Sequence, residues 1–304
     1  MSEVHQAIRF QAYGGSEVLQ LETLPRPVPG EGEVLIRVHF AGVNPIDWKL
    51  RSGAYQAFMP TKFPAHPGID VSGTIESVGP GVTAWKKGDA VFGAGRGSYA
   101  QFALAKGIDV VAKPAGLSFE VAAALPVGAL TAWQQVETAG IKAGQRVLVQ
   151  GAAGGVGLFA VQLAKLKGAF VYGSASTGNV GFVKSLGADT VLDYTQGPLG
   201  VRDLDAVIDT VGGSVLESSY ALLKKGGVLV SVAGQPSEEK ARAQGVTALY
   251  VSRGPIRELP AIADLVAAKK LVAEVQKVFP LAQAAQAQDL SQSGHGRGRI
   301  LLKP

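Results

Sequence analysis

Residues 146–157 read RVLVQGAAGGVG, an apolar run followed at once by a glycine-rich turn, and a helical pattern comes next. The spacing Ala152-x-Gly154-x-x-Gly157 is the dinucleotide-binding fingerprint with Ala in place of its first Gly. Gly154 would let the backbone approach a pyrophosphate, and Gly157 would allow close helix–strand packing. The helix N-terminus would offer N–H groups to the anion. We therefore predict a dinucleotide-binding turn; the alternative is a glycine-rich turn that binds nothing.

Strand-like and helical patterns alternate along the chain on both sides of this turn. Ser118 has the side chain of an N-cap, and the pattern predicts one helix over residues 121–139 that ends at Gly140. The strand-like runs are residues 146–150, 170–174, 190–192, 205–209, 228–232 and 247–251. The helical stretches are residues 156–167, 179–186, 215–223 and 258–268, and a strand at 299–302 closes the chain. Such alternation predicts a doubly wound parallel sheet, the Rossmann type of α/β domain, covered on both faces.

The first third of the chain has a different pattern. Between residues 5 and 116 apolar side chains recur at every second position, as at Val34, Ile36 and Val38. This period is typical of strands with one buried face. Turns rich in Gly or Pro interrupt the strands at short intervals, for example at residues 29–30 and 80–81. Many short strands joined by such turns predict a β-barrel or a sandwich.

The composition excludes several classes of site. The 304 residues include 29 Lys and Arg against 24 Asp and Glu, a formal net charge of +5, and no Cys. Disulfides, thiolate nucleophiles and Cys-ligated zinc sites are thereby excluded. The basic residues are scattered, which is typical of a solvated surface and speaks against nucleic acid as a partner.

No segment has the composition of a membrane span or a targeting signal. The longest apolar stretch, residues 121–133, is shorter than the roughly 20 residues that a spanning helix needs, and it contains Pro126. Residues 1–5 lack the basic and apolar regions of a signal peptide. We expect a cytoplasmic protein with no membrane partner.

The segment after the second strand of the alternating region bears on which dinucleotide is bound. A chain that binds NAD usually has an acid about 20 residues beyond the glycine turn, where the acid accepts from the ribose 2′-OH. Residues 171–177 read VYGSAST, and no acid follows until Asp189. Small hydroxyl side chains can donate to a 2′-phosphate, so the pattern favours NADPH over NADH.

Motifs along nearly the whole chain resemble those of the medium-chain dehydrogenase/reductase superfamily, in its zinc-independent quinone oxidoreductase branch, which includes zeta-crystallin-like proteins. The motifs are AGVNPID (41–47), RSGAY (51–55), GIDVSG (68–73), GDAV (88–91), LTAW (130–133), the glycine turn (151–157) and KSLGAD (184–189). The resemblance implies a GroES-like β-barrel catalytic domain from residues 1–116 and 255–304. It implies a Rossmann cofactor domain from residues 117–254, with the substrate between the two domains, and a homodimer.

The same resemblance indicates chemistry without zinc. The zinc alcohol dehydrogenases of the superfamily have Cys at the position of Asn44 and His at that of Ile69. The four histidines, at positions 5, 39, 66 and 295, lack metal-ligand spacing. We expect these histidines to have surface or packing roles.

Without zinc, hydrogen-bond donors must polarise the substrate carbonyl. By resemblance, Asn44 is the first catalytic candidate, and Tyr55 matches a pocket tyrosine of the family. Lys49 stands where bacterial quinone reductases often have Tyr; it would either stabilise an anion or lie at a solvated rim. Asp47 and Asp70 match family acids, for which structural hydrogen bonding is an equal alternative. Residues 53–67, rich in aromatic and Pro residues, predict a loop over an apolar substrate.

The resemblance also implies the residues that hold the dinucleotide. The predicted set is Thr131 near the nicotinamide, Ala153, Gly154, Gly155, Val156 and Gly157 at the pyrophosphate, Ser174, Ser176, Asn179 and Tyr194 around the 2′-phosphate, and Ser231, Val232 and Ala233 beside the nicotinamide. Asn179 departs from the family pattern, because a phosphate-binding Lys is expected there.

These observations predict an NADPH-dependent oxidoreductase that transfers hydride to a small apolar quinone or α,β-unsaturated carbonyl. One alternative is a zinc-free alcohol or enoyl-thioester oxidoreductase. A second, from another class, is a crystallin-like protein that senses NADPH or binds RNA. The sequence has no RNP motif that would support RNA binding.

Overall fold

The computed structural model describes residues 3–304; Met1 and Ser2, part of the N-terminal stretch inspected for a targeting signal, lie outside it. The chain divides into two compact units. The first unit comprises the chain up to Val127 together with Pro255–Lys270 and Glu274–Pro304. The second comprises Gly128–Gly254 and Leu271–Ala273.

The described residues form fifteen strands and nine α-helices. The strands are β1 (Val4–Arg9), β2 (Gln20–Pro25), β3 (Glu33–Val43), β4 (Asp70–Val78), β5 (Ala90–Ala94), β6 (Phe102–Lys106), β7 (Val110–Ala112), β8 (Arg146–Val149), β9 (Phe170–Ala175), β10 (Thr190–Asp193), β11 (Leu204–Asp209), β12 (Leu223–Ser231), β13 (Thr247–Tyr250), β14 (Val275–Pro280) and β15 (Arg299–Lys303). The helices are α1 (Pro45–Arg51), α2 (Phe119–Ala123), α3 (Pro126–Thr138), α4 (Gly157–Leu166), α5 (Val180–Ser185), α6 (Gly213–Ser219), α7 (Glu238–Gln244), α8 (Leu259–Ala267) and α9 (Ala284–Gln292).

The first unit is built on a seven-stranded sheet in the order β14-β15-β3-β4-β5-β7, with β6 also paired to β3. Its neighbours are antiparallel except for β14 and β15. Alternate residues of β3, among them Val34 and Ile36, are fully buried in its core. The C-terminal strand β15 lies beside β3 with Ile300 opposite Val43. This register brings the end of the chain next to residues near position 44.

The second unit contains a six-stranded parallel sheet in the order β10-β9-β8-β11-β12-β13. This confirms the predicted doubly wound sheet. Leu148, Val207 and Leu229 are fully buried in the apolar core of this sheet. The strand order reverses between β8 and β11, and the glycine turn follows β8. In open α/β sheets ligands bind at such a reversal, outside the carboxyl ends of the strands.

One predicted helix is wrong in its extent. Residues 121–139 do not form a single helix, because α2 ends at Ala123 and α3 begins at Pro126. Proline has no N–H to donate and is favoured in the first turn of a helix, so Pro126 starts a new helix. The N-cap is as predicted: Ser118 Oγ accepts from Val121 N–H at 3.1 Å. Helix α2 packs against β3 and β4, which places residues 117–127 in the first unit, whereas the sequence prediction assigns them to the cofactor domain.

The longest α-helix of residues 3–304, α3, has 13 residues. None of the helices in this part of the chain is long and apolar enough to cross a membrane.

Candidate functional site

The glycine turn after β8 is held in place by close backbone contacts. Gly151 has φ +65°, a left-handed conformation that favours glycine. A Cβ at Gly157 would lie 2.1 Å from the carbonyl oxygen of Gly151, so only glycine fits where α4 begins. Ala152 N–H donates to the carbonyl of Ser174 at 3.0 Å, which ties the turn to the end of β9.

The turn also presents unused donors. Gly154 N–H donates within the turn, to Gly151 O at 2.9 Å. The N–H groups of Gly155, Val156 and Gly157 donate to no backbone carbonyl of the described residues. They precede or begin α4, a helix of ten residues, where the helix dipole favours an anion. These residues fit the pyrophosphate of a dinucleotide, with Ala153 (6% exposed) beside them in the turn.

Buried polar contacts fix the neighbouring strand ends. Asp209, at the end of β11, is fully buried and accepts through Oδ1 from Val211 and Gly212 N–H, both at 3.0 Å. Its Oδ2 accepts from Ser231 Oγ at 2.6 Å. Ser231 Oγ in turn accepts from the N–H groups of Ala233 and Gly234 at 3.2 Å. Ser231, one of the residues predicted beside the nicotinamide, thus links Asp209 to the loop that contains Val232 and Ala233.

Helix α3 is anchored at the same edge of the sheet. Gln135 Nε2 donates to the carbonyls of Asp209 and Val230 at 2.9 and 3.1 Å. Thr131 is one turn earlier, and residues four apart lie on the same face of a helix. Thr131 therefore lies on the face of α3 that carries Gln135.

The residues predicted around the 2′-phosphate lie near the ends of β9 and β10: Ser174 within β9, Ser176 and Asn179 after it, and Tyr194 after β10. Ser174 is buried (5% exposed), and its Oγ accepts from Gly151 N–H at 3.4 Å. Asn179 Nδ2 donates to Ser176 Oγ at 3.2 Å. Tyr194 is 52% exposed. The structure places these four side chains near the ends of two adjacent parallel strands, but the hydroxyl of Ser174 lies against the glycine turn.

In the first unit, Asn44 belongs to a buried network with Asp70 and Arg299. Asn44 Nδ2 donates to Asp70 Oδ2 at 3.0 Å. Arg299 Nη2 donates to Asn44 Oδ1 and to Asp70 Oδ2, both at 2.7 Å. Asn44 and Asp70 are fully buried, and Arg299 is 3% exposed. Val127 N–H donates to the other carboxylate oxygen, Asp70 Oδ1, at 3.0 Å.

Asp47 lies at the start of α1, beside this network. Its Oδ2 accepts from Asn44 N–H at 2.8 Å and from the Tyr99 hydroxyl at 2.9 Å. Burial raises the pKa of Asp47 to about 7, although both of these hydrogen bonds oppose the rise. Burial also raises the pKa of Tyr99. Asp47 and Asp70 are thus both engaged in buried hydrogen bonds, which is one of the two roles that the sequence leaves open.

The network does not fit a catalytic zinc ion. Arg299 already occupies the two oxygens, Asn44 Oδ1 and Asp70 Oδ2, that would face a metal, and it brings a permanent positive charge to that point. A divalent cation there would have a buried cation as its neighbour. Among residues 3–304, no group of three or more His, Cys, Asp or Glu could hold a metal ion. His39 instead stacks on Phe119, with ring centroids 4.1 Å apart.

Lys49 and Tyr55 are brought together at the end of α1. Lys49 Nζ donates to Tyr55 Oη at 3.2 Å, and both side chains are partly exposed. The Tyr55 ring lies 4.8 Å from that of Phe58, which is 67% exposed, and Met59 beside it is 47% exposed. A cationic and a phenolic donor thus lie beside an apolar, solvent-accessible surface.

Three residues near these sites were missed from the sequence. Arg299 belongs to a strand that was predicted, but its contact with Asn44 depends on the pairing of β15 with β3. Asp209 had a detectable signal, since it is an acid that ends the buried apolar run 206–208. Asp193 ends β10 directly beside the end of β9; in the sequence it is an acid four residues beyond Asp189, and nothing local marks it as close to β9.

Comparison with known proteins identifies the family. The profile described as Alcohol dehydrogenase GroES-like domain matches residues 30–115, and the one described as Zinc-binding dehydrogenase matches residues 186–302. The Chloroplast envelope quinone oxidoreductase homolog of Arabidopsis thaliana is 34% identical over 98% of both chains.

Solved structures support the same family assignment. The quinone oxidoreductase from Coxiella burnetii has a TM-score of 0.92 and 35% identity, and the match covers 99% of this chain and 100% of that one. A mycobacterial protein complexed with NADPH has a TM-score of 0.90 and 31% identity, over 99% of this chain and 100% of that one. These matches confirm the predicted GroES-like and Rossmann architecture. The chain therefore belongs to the quinone oxidoreductase branch of the medium-chain dehydrogenase/reductase superfamily and is an NAD(P)-dependent oxidoreductase.

Proposed function

We propose that this protein reduces quinones or α,β-unsaturated carbonyls with NADPH. The observation that carries the proposal is the hydrogen-bonded pair of Lys49 and Tyr55 beside exposed Phe58 and Met59. An apolar surface next to two donors suits a planar apolar substrate whose oxygen gains negative charge. The free N–H groups at the start of α4 support a dinucleotide partner.

NADPH is proposed over NADH on two grounds. Residues 174–177, at the end of β9 and just after it, include no acid and three hydroxyl side chains. The mycobacterial relative is a complex with NADPH. The residues that would hold the dinucleotide are the glycine turn with Ala153, then Thr131 and the 231–233 loop, and the group near the ends of β9 and β10 that comprises Ser174, Ser176, Asn179 and Tyr194.

When bound, NADPH supplies a hydride to the β-carbon of an enone or to a quinone ring. Tyr55 Oη is proposed to donate its proton to the substrate oxygen, which receives the displaced electron pair. Lys49 Nζ, 3.2 Å away, then returns a proton to Tyr55 Oη, and solvent reprotonates the partly exposed Lys49. Asn44 stays a predicted donor, through the Nδ2 hydrogen that Asp70 does not use, but its side chain is fully buried in this structure and the proposed step does not require it.

The test follows NADPH oxidation with quinones, enones and simple ketones, in the presence of a chelator. We expect quinone or enone reduction, and Tyr55→Phe and Lys49→Met each lowering kcat by at least about tenfold, since general acids typically contribute more than this. NADPH affinity should stay unchanged in both variants. Lys62→Met, on the same loop, is the matched control. Reduction of ketones alone, or no oxidation with any acceptor, would refute the proposal.

We further propose a homodimer. Strand β13 is the last strand of the six-stranded sheet, where an unpaired backbone edge can accept a second copy. Leu249 and Tyr250 on this strand are 39% and 48% exposed. Light scattering of the purified protein tests the dimer. The cytoplasmic location stays a prediction, and the name of the Arabidopsis relative places that relative at the chloroplast envelope.

A further inference from the structure

A carboxylate lies where the adenosine ribose of the cofactor is expected. The dinucleotide fingerprint places this ribose at the end of the second strand of the domain, which here is β9. Strand β10 pairs with β9 in parallel, with Asp193 opposite Ala175. Asp193 Oδ2 accepts from Thr177 Oγ1 at 2.6 Å, and Thr177 is the second residue after β9. The carboxylate is thereby fixed beside the segment that was predicted to surround the 2′-phosphate.

Asp193 is held in one orientation by a second contact. Its Oδ1 accepts from the N–H of Thr195 at 2.9 Å and from Thr195 Oγ1 at 2.7 Å. The hydrogen bonds from Thr177 and Thr195 hold the pKa of Asp193 below its usual value, so the group carries its charge throughout the neutral range. Each carboxylate oxygen can accept more than one hydrogen bond, so capacity remains for a ribose hydroxyl.

Nothing cationic in the adjoining segments offsets this charge. Residues 174–183 and 193–201 contain no Lys or Arg. Lys184, just beyond the first segment, donates to the carbonyl of Asp189, and Lys165 pairs with the Asp189 carboxylate at 2.7 Å. Asn179 provides an amide where relatives are expected to have a phosphate-binding Lys.

We propose that Asp193 is a specificity-determining residue of the adenosine site, which disfavours the 2′-phosphate and lets this enzyme use NADH as well as NADPH. The carboxylate repels a phosphate that carries nearly two negative charges and can accept from the 2′-OH of NADH. The inference rests on the proposed dinucleotide site, and it deepens the proposed function by limiting the preference for NADPH.

The test measures the dissociation constants of NADPH and NADH by fluorescence titration, at low and at high ionic strength. Asp193→Asn keeps the shape and the acceptor oxygen for Thr195 but removes the charge. We expect this variant to bind NADPH about two- to fivefold more tightly, the range typical of exposed charge pairs, with no gain for NADH. The gain should shrink in high salt, which screens exposed charges.

Asn179→Lys is a second variant, which adds a cation at the same site and should also favour NADPH alone. Glu137→Gln is the matched control, because it removes one carboxylate of the same unit that pairs with Lys167, directly after α4, and not with the residues around Asp193. An unchanged NADPH-to-NADH affinity ratio in both Asp193→Asn and Asn179→Lys would overturn the inference. So would an equal rise in that ratio in the Glu137→Gln control.

The same titrations separate this inference from the proposed function. A protein that binds both dinucleotides with the expected ratios, yet reduces neither quinone nor enone, would refute the proposed reaction and support the role of Asp193. A protein that binds neither dinucleotide would overturn both.

Discussion

Replacing Arg299 with Met should destabilise the first unit strongly, although Met has a similar length. Arg299 and Asp70 form an ion pair at 2.7 Å, and their side chains are 3% and 0% exposed. The substitution leaves Asp70 as a buried anion that keeps only hydrogen bonds, among them those from Asn44 and Val127. Asn44 Oδ1 loses its guanidinium donor as well.

The expected cost follows from the burial of this pair. Removing one partner of a buried ion pair typically costs about 3–5 kcal/mol, because the other charge stays in a medium that solvates it poorly. A change of 1 kcal/mol in the free energy of unfolding shifts Tm by about 2–4 °C for a unit of this size. Tm should therefore fall by about 6–20 °C. Urea denaturation followed by tryptophan fluorescence measures the free energy of unfolding, and calorimetry measures Tm.

A double-mutant cycle isolates the pair. Asp70→Asn alone should also destabilise, because it leaves the guanidinium buried without its anion. The double variant should be more stable than the sum of the single effects, by about 1–3 kcal/mol. Arg96→Met is the matched control, since Arg96 is 70% exposed in its ion pair with Glu33. This substitution should lower the free energy of unfolding by at most about 1 kcal/mol. Strictly additive single effects, or equal losses in Arg299→Met and Arg96→Met, would refute the reasoning.

Two further predictions concern the glycine turn and the pH dependence of stability. Gly157→Ala should abolish dinucleotide binding in a fluorescence titration, because the added Cβ would lie 2.1 Å from Gly151 O. Gly181→Ala is the control, since a Cβ at Gly181 would have no neighbouring atom within 4 Å. Full dinucleotide binding by Gly157→Ala would contradict the assigned turn. Asp47 has a pKa raised by burial from 3.8 to about 7, so the folded state holds a proton that the unfolded state has lost, and stability should fall as the pH rises from about 4 to 7. Asp47→Asn should flatten this slope in urea denaturation at several pH values, and an unchanged slope would rule out Asp47 as its source.

The second unit could be predicted well because its signals are local. The six strands are short apolar runs, and the glycine turn has the dinucleotide-binding spacing between a strand and a helix. Both signals can be recognised within a few residues of sequence. Even there, the pattern predicted one helix over residues 121–139, since apolar periodicity continues across the Pro126 break. Tertiary contact with β3 and β4 then assigns α2 to the first unit, which no local pattern could indicate.

The contacts that could not be predicted are those set by strand register. Arg299 and Asn44 are 255 residues apart, and they meet because Ile300 lies opposite Val43. Asp193 is 16 residues after Thr177, yet the parallel pairing of β10 with β9 brings their side chains within 2.6 Å. A search along the chain for an acid at a fixed spacing therefore passes over the acid that the sheet brings to the site.

The buried network of Arg299, Asp70 and Asn44 is better explained by orientation than by stability. Well-packed apolar residues often stabilise a core as much as a buried ion pair does, because the pair must be desolvated. The pair does, however, determine which way the Asn44 amide faces: Oδ1 accepts from Arg299, and Nδ2 donates to Asp70. Rotating the amide by 180° would set its N–H groups against the guanidinium and its oxygen against the carboxylate, so both contacts oppose rotation. The remaining N–H of Nδ2 thus has one direction, and the C-terminal strand contributes to the proposed site by fixing that direction.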